Sequence, residues 1–193
     1  MVFAKVAEYD GFLVACYSHH PLVGRLKVEI KSWARDNPNR HRKFVLGIFE
    51  ASILHALALT ADEAHDGAWG IITTGVVWET LLSTGVEIFL ASVKGGKTFR
   101  GVESTGLNAT ELHEKSKDEV EKRIQEATKR LLIQPGYKRA VRVVCLGCAG
   151  MAGLESAVKT ASTQNGYAKD ELMVVDGVKA GILMLHSLLR ASY

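Results

Sequence analysis

The reactive side chains of this sequence are concentrated in its three cysteines. Cys148 stands in L-G-C-A-G-M, Leu146–Met151, directly after the β-branched residues Val141, Val143 and Val144. Cys16 ends the apolar run G-F-L-V-A, Gly11–Ala15, and is followed by Y-S-H-H-P. Each thiol follows a short apolar segment and precedes a helical pattern. A buried cysteine is commonly just a small hydrophobe. Two at equivalent positions suit a specific task. Racemising a carbon next to a carbonyl removes its proton from one face and returns a proton to the other. Two groups on opposite faces do this without turning the carbanion over, one deprotonated and the other protonated, with the roles exchanged for the reverse reaction. A thiol has a reference pKa of about 8.5, which a helix N-terminus can bring toward neutrality. The residues alone therefore lead to the expectation of a cofactor-independent racemase with Cys16 and Cys148 as its acid–base pair. Neither a metal nor an organic cofactor is required.

The elements that must hold these thiols are read next. Val141–Leu146 is expected as a parallel strand covered on both faces. Gly147 and Gly150 let the chain turn sharply. A helix is expected over Ala152–Thr160, so that Cys148 meets a helix N-terminus. Upstream, Phe3–Asp10 reads as the tail of a helix and Gly11–Ala15 as the first strand. Leu22–Ala34 reads as a helix with Leu22, Leu26, Ile30 and Trp33 on one side. The basic stretch Arg35–Lys43 reads as a solvated loop, turning at Asn37-Pro38-Asn39. Phe44–Ile48 is a second strand. Glu50-Ala51-Ser52 opens a helix over Ile53–Ala64, Asp66-Gly67 turns, and Trp69–Thr73 is a third strand. A helix over Val76–Ser83, with Trp78 in the core, precedes a fourth strand over Val86–Val93. Residues 100–112 read as a connection with a turn at Gly106. Ser116 caps a helix ending near Leu132, and Gln134-Pro135-Gly136 stops it. Leu172–Val175 is a last strand, and Asp176 leads into a final helix over Val178–Ala191.

Alternating strands and helices imply an α/β fold with parallel sheets and helices on both faces. Ligands in such folds bind at the carboxyl ends of the strands. The flagged polar residues fall there. Thr73 and Thr74, beside Gly75, either bind a substrate oxygen or cap the next helix. Glu50 is either a helix N-terminal acid or a pocket group, and Asp176 either a cap or a cleft residue. Backbone N–H groups around Gly147–Gly150 are candidate donors to the carbanion's oxygen.

With 193 residues, the chain is long enough for one α/β domain or two small lobes with a real core. Its hydrophobic content of 47% fits a globular protein. A net charge of +3 is too small to argue for nucleic acid or an acidic membrane as partner. No apolar run approaches the roughly 18 residues of a membrane-spanning helix. The first residues lack signal-peptide features. The odd cysteine count does not make a disulfide framework, and a cytoplasmic, reducing location is expected. Lys94–Lys97, K-G-G-K, lacks the spacing of a phosphate loop.

A redox reading competes, because Cys145 and Cys148 form C-x-x-C. In thioredoxin-like motifs the first cysteine is the exposed one. Here Cys145 lies inside the apolar strand and is expected to be buried and inert. The adjacent pair His19-His20 lacks further ligands at suitable spacing for a metal, although a cationic histidine there would favour the Cys16 thiolate.

Five segments resemble the aspartate/glutamate/hydantoin racemase superfamily, and within it the hydantoin and allantoin racemase branch with its fungal members. They are Asp10–Leu22, Val45–Ser52, Gly70–Gly75, Leu146–Met151 and Val174–Gly181. The resemblance implies two similar α/β lobes with the site between them. The first covers 1–66, is completed by the C-terminal helix 177–193 and lacks its leading strand or strands; the second covers 67–176. Cys16 and Cys148 match the catalytic pair. Tyr17, Ser18, Glu50, Thr73, Thr74, Gly147, Ala149 and Gly150 are placed as substrate-binding residues. A small-molecule substrate and a homo-oligomer are implied. Family members usually begin with a strand carrying Asn-Pro-Asn, and the same segment at 37–39 follows a helix here, so its role is not carried over. A catalytically impaired paralogue or fragment, and a cysteine-dependent isomerase or decarboxylase of the same superfamily, stand as alternatives.

Overall fold

In the computed structural model, residues 5–38, 41–61, 67–91, 98–136 and 139–191 are described. Two parallel sheets organise them. The smaller pairs β1 (Gly11–Val14) with β2 (Phe44–Gly47). The larger has the order β4-β3-β5-β6, with β3 Ala68–Thr73, β4 Phe99–Ser104, β5 Val141–Leu146 and β6 Met173–Asp176. The helices are α1 Pro21–Asp36, α2 Ile48–Thr60, α3 Val77–Phe89, α4 Glu111–Glu114, α5 Lys117–Leu132, α6 Glu155–Gln164 and α7 Gly177–Arg190.

Alternation along β3 and β5 divides the core. Trp69, Ile71, Val143 and Cys145 face a cluster with Phe49, Ile53, Leu82 and Val86 from α2 and α3. Ala68, Ile72, Val144 and Leu146 face a second cluster with Ile124, Leu131 and Val158 from α5 and α6. Such strands read as near-continuous apolar runs because both faces are covered. On the smaller sheet, Val14 and Val45 pack with Val23 and Leu26 of α1. Its other face meets α7, where a Cβ on Gly181 would come within 2.7 Å of Leu13 Cδ1. The absence of a side chain at Gly181 lets the helix lie that close to the Leu13 side chain.

Several expectations hold and several do not. Ser116 caps α5, its hydroxyl accepting from the Glu119 N–H at 3.3 Å. The positive φ of Gly136 (+85°) follows the end of that helix, and Gly106 (+76°) makes the expected turn. Asp176 Oδ1 accepts from the N–H groups of Val178 (2.8 Å) and Lys179 (3.2 Å), the N-cap role. In the described part of the expected N-terminal helix tail, Lys5 is in 3-10 conformation and residues 6–8 form a turn, with the Glu8 N–H on the Lys5 carbonyl at 3.0 Å. The helix expected from Ile53 starts at Ile48, so Glu50 lies in its first turn.

The expected strand over Val86–Val93 is the main correction. Val86–Phe89 continues α3. Leu82, Gly85 and Val86 form its buried side, and Gly85 lets the helix press on the Phe49 ring, at 3.1 Å from a built Cβ. The fourth strand is instead β4, inside the expected connection. Its inward residues are Arg100, Val102 and Ser104, two of them polar, which hides the alternation. The Arg100 guanidinium donates to the Arg139 carbonyl, and Ser104 gives both its N–H (2.9 Å) and its hydroxyl (2.6 Å) to Glu79. Phe3, residues 62–66 with Asp66, the K-G-G-K stretch at 94–97, and parts of the other expected segments lie outside the described residues.

Candidate active site

The flagged residues gather at the carboxyl ends of the strands. Cys16 follows β1 and is exposed; its Sγ lies 3.6 Å from Ser18 Oγ. The Ser18 N–H donates to the Cys16 carbonyl at 3.0 Å, which closes a tight turn. Cys148 follows β5 and is half-buried. It is the N-cap of a single 3-10 turn, Ala149–Met151, and α6 begins only at Glu155. The expected helix N-terminus at Cys148 is therefore one turn of three residues, too short for a substantial macrodipole. The N–H groups of Cys148, Ala149 and Gly150 find no carbonyl among the described residues.

Cys145 differs from both. It is fully buried, and burial pushes its thiol up to about 12. Its Sγ reaches the Ser52 carbonyl at 3.7 Å. A thiol that keeps its proton throughout the neutral range is no redox nucleophile, so the C-x-x-C reading has no exposed first cysteine.

Tyr17, expected at the substrate, turns its ring inward. Its hydroxyl lies 2.6 Å from Ser52 Oγ, its ring meets Phe49 edge-on at 5.5 Å, and a Cβ on Gly177 would touch it at 3.1 Å. Burial, and then the neighbouring Cys145, hold its pKa well above 10.0. The residue next to Cys16 is thereby anchored to β5 through Ser52 and to the end of β6.

Thr73 is likewise committed to the protein. Its Oγ1 donates to the Gly147 carbonyl at 3.0 Å, and the Gly147 N–H donates to the Ile72 carbonyl at 2.7 Å. A Cβ on Gly147 would stand 2.7 Å from Ile71 Cγ2 and 2.9 Å from the Ile72 carbonyl oxygen. Thr73 thus positions the turn that carries Cys148 and has no hydroxyl proton left for a substrate oxygen. Thr74 is 3% exposed, and its hydroxyl has no partner among the described residues. Its carbonyl accepts from the Gly106 N–H (3.0 Å) and Thr105 Oγ1 (3.2 Å). Thr105 lies just past the end of β4, within the stretch whose sequence reads as a connection.

Glu50 is 8% exposed, with Oε1 3.4 Å from His19 Nδ1 and Oε2 buried without a hydrogen-bond partner. That oxygen occupies the space over Gly47, where a Cβ would lie 2.1 Å away. His20 Nδ1 accepts from the Leu22 N–H at 3.1 Å and caps α1. The histidine pair is therefore divided between a cap and a carboxylate. Among the described residues no cluster of His, Cys, Asp and Glu is fit to hold a metal. Asp176 keeps its Oδ2 buried, 3.8 Å from Lys179 Nζ, and borders a cavity of about 550 Å³ beside β6 whose lining contains neither thiol. Among the described residues no helix is long and apolar enough to cross a membrane.

Residues 3–185 match the family described as Asp/Glu/Hydantoin racemase. An uncharacterized protein of Schizosaccharomyces pombe is 34% identical over 95% of this chain and 64% of its own length. Protein DCG1 of Saccharomyces cerevisiae is 28% identical over 95% of this chain and 66% of its own. The chain thus spans about two thirds of the length of these relatives. Allantoin racemase from Pseudomonas fluorescens superposes with a TM-score of 0.63 at 24% identity, over 98% of this chain and 67% of that one. Allantoin racemase from Klebsiella pneumoniae gives 0.66 at 20%, over 97% and 63%. These two likenesses establish the α/β architecture.

Proposed function

The chain belongs to the Asp/Glu/hydantoin racemase family, and we propose that it racemises a small carbon acid of the hydantoin or allantoin type with two thiols. One observation supports this above the rest. Of the three cysteines, the fold seals Cys145 and leaves Cys16 and Cys148 accessible, each just past the carboxyl end of a parallel strand. In this reading Cys16 and Cys148 stand on opposite faces of the substrate, between a lobe of residues 1–66 with 177–193 and a lobe of residues 67–176. One thiolate removes the proton next to the carbonyl, and the other thiol donates its own to the opposite face. The enolate oxygen accepts from the open N–H groups at Ala149 and Gly150 and from the Thr74 hydroxyl. Ser18 lies against Cys16, and Glu50 lies at the end of β2, as groups for the substrate's polar edge. Tyr17, Thr73 and Gly147 act from behind by fixing the turns. A reducing, cytoplasmic location suits free catalytic thiols.

The test follows the optical rotation of enantiopure allantoin and of a 5-substituted hydantoin in D₂O, with the wild type, Cys16→Ala and Cys148→Ala. Decay with the wild type, loss in both variants and deuterium at the stereocentre are expected. General acid–base catalysis of this kind contributes about 10²–10⁴-fold, so each variant should fall by at least that range. Decay that survives either substitution would overturn the two-thiol mechanism. A folded wild type inactive on both compounds would overturn the substrate assignment.

A further inference from the structure

A methyl group placed on Gly150 would meet His113 Nε2 at 3.3 Å, Leu112 Cδ1 at 3.4 Å and Cys148 Sγ at 3.7 Å. The imidazole nitrogen and the thiol sulfur thus converge on one point, where glycine leaves them room. His113 is exposed and lies on α4, its N–H held by the Thr110 carbonyl at 2.9 Å. α4 rests on the Ala149–Met151 turn that Cys148 caps. Among the described residues neither ring nitrogen of His113 takes a hydrogen bond, so the imidazole is not engaged elsewhere. Because α6 starts seven residues beyond Cys148, a long helix does not polarise this thiol. The fold instead brings an imidazole to the same space over Gly150 that the thiol borders.

We propose that His113 is the acid–base partner of Cys148. The inference rests on Cys148 being one of the two reacting thiols. The Nε2 lone pair accepts the thiol proton, which leaves a thiolate and an imidazolium, and the reverse step returns it. After Cys148 has taken the substrate's proton, the thiol must lose that proton before the next turnover in the same direction. Nε2 accepts it, and the exposed ring passes it to water. No electrons change hands and no co-reactant is consumed. Glu111 and Glu114 share α4 with His113, and Glu111 pairs with Lys115 at 3.9 Å. The turn packed against α4 carries no titratable side chain of its own.

Iodoacetamide alkylation of Cys148 tests this without requiring turnover. A Cys16→Ser background leaves Cys148 as the accessible thiol, since Cys145 is fully buried. The rate is followed from about pH 5 to 10, which spans the ordinary imidazole and thiol values of about 6.5 and 8.5. Two rises are expected, the lower one titrating with the imidazole. In the same background His113→Gln, checked for folding by its thermal melt, should lose the lower rise and slow by about tenfold at pH 6.5, the effect of one unit in thiol ionisation. Glu114→Gln should keep both rises. A single rise in the parent, or superimposable parent and His113→Gln profiles, would overturn the proposal. The two readings fail separately. A protein that racemises nothing but keeps the two-limbed profile loses the substrate assignment alone, while a racemase with a single-limbed profile loses the His113 assignment alone.

Discussion

The Tyr17 phenol donates its proton to Ser52 Oγ across 2.6 Å of sealed core. The direction follows from Ser52, whose own hydroxyl proton goes to the Phe49 carbonyl at 2.9 Å. This bond joins the residue after Cys16 to the helix that packs on β5, and so holds the two sheets in fixed relation. Tyr17→Phe removes one buried hydrogen bond and leaves no unpaired donor. A loss of about 1 kcal/mol is expected, read as a fall of roughly 2–4 °C in Tm for a chain of this size.

Cys145 predicts a pH dependence with a definite sign. Burial raises its thiol from an ordinary 9.0 to about 12. Between these values the native state holds a proton that the unfolded chain has released, so stability falls as pH rises from 9.0 toward 12. The buried Tyr17, also raised, acts in the same direction. Urea unfolding at pH 8 and pH 10.5 should show the decline, and Cys145→Ala should reduce it to the part that Tyr17 contributes. Native protein at pH 8 should also take up two equivalents of iodoacetamide, with the third reacting only after unfolding.

The contact between Thr73 and Gly147 should separate the hydroxyl from the shape of the side chain. Thr73→Val leaves the Gly147 carbonyl without its side-chain donor, at a cost of about 1–3 kcal/mol in urea unfolding. Thr73→Ser restores that donor and should recover most of the loss. If the threonine held a substrate oxygen instead, Thr73→Val would raise KM and leave stability unchanged.

Gly147→Ala tests how closely the chain approaches itself beneath Cys148. The added methyl would stand 2.7 Å from Ile71 Cγ2 and 2.9 Å from the Ile72 carbonyl oxygen, and backbone on that side cannot swing away. Overpacking of this kind costs about 1–3 kcal/mol. A lowered denaturation midpoint, with slower alkylation of Cys148 as its turn shifts, is the expected result.

Much of the fold was legible in local pattern. The strands that carry Cys16 and Cys148 are apolar runs ended by turn residues, and Ser116 and Asp176 announce their helices by capping chemistry. The stretch from Val86 to Leu90 was not legible, because V-E-I-F-L fits a period of 2 and a period of 3.6 equally well over five residues. β4 was hidden for the opposite reason. Arg100 and Ser104 look like surface residues until Arg139 and Glu79 supply their partners.

The order of neighbouring residues determined the α/β alternation, the positions of Cys16 and Cys148 past their strands, and the apolar setting that seals Cys145. The tertiary structure alone decided that the Tyr17 and Thr73 hydroxyls are bonded within the protein, that α6 begins too late to polarise Cys148, and that His113 and Cys148 border the same space over Gly150. The physical reason is range. Periodicity and capping act within a few residues, whereas a hydroxyl's partner, a thiol's burial and a histidine's neighbour come from segments brought together only when the sheets are packed.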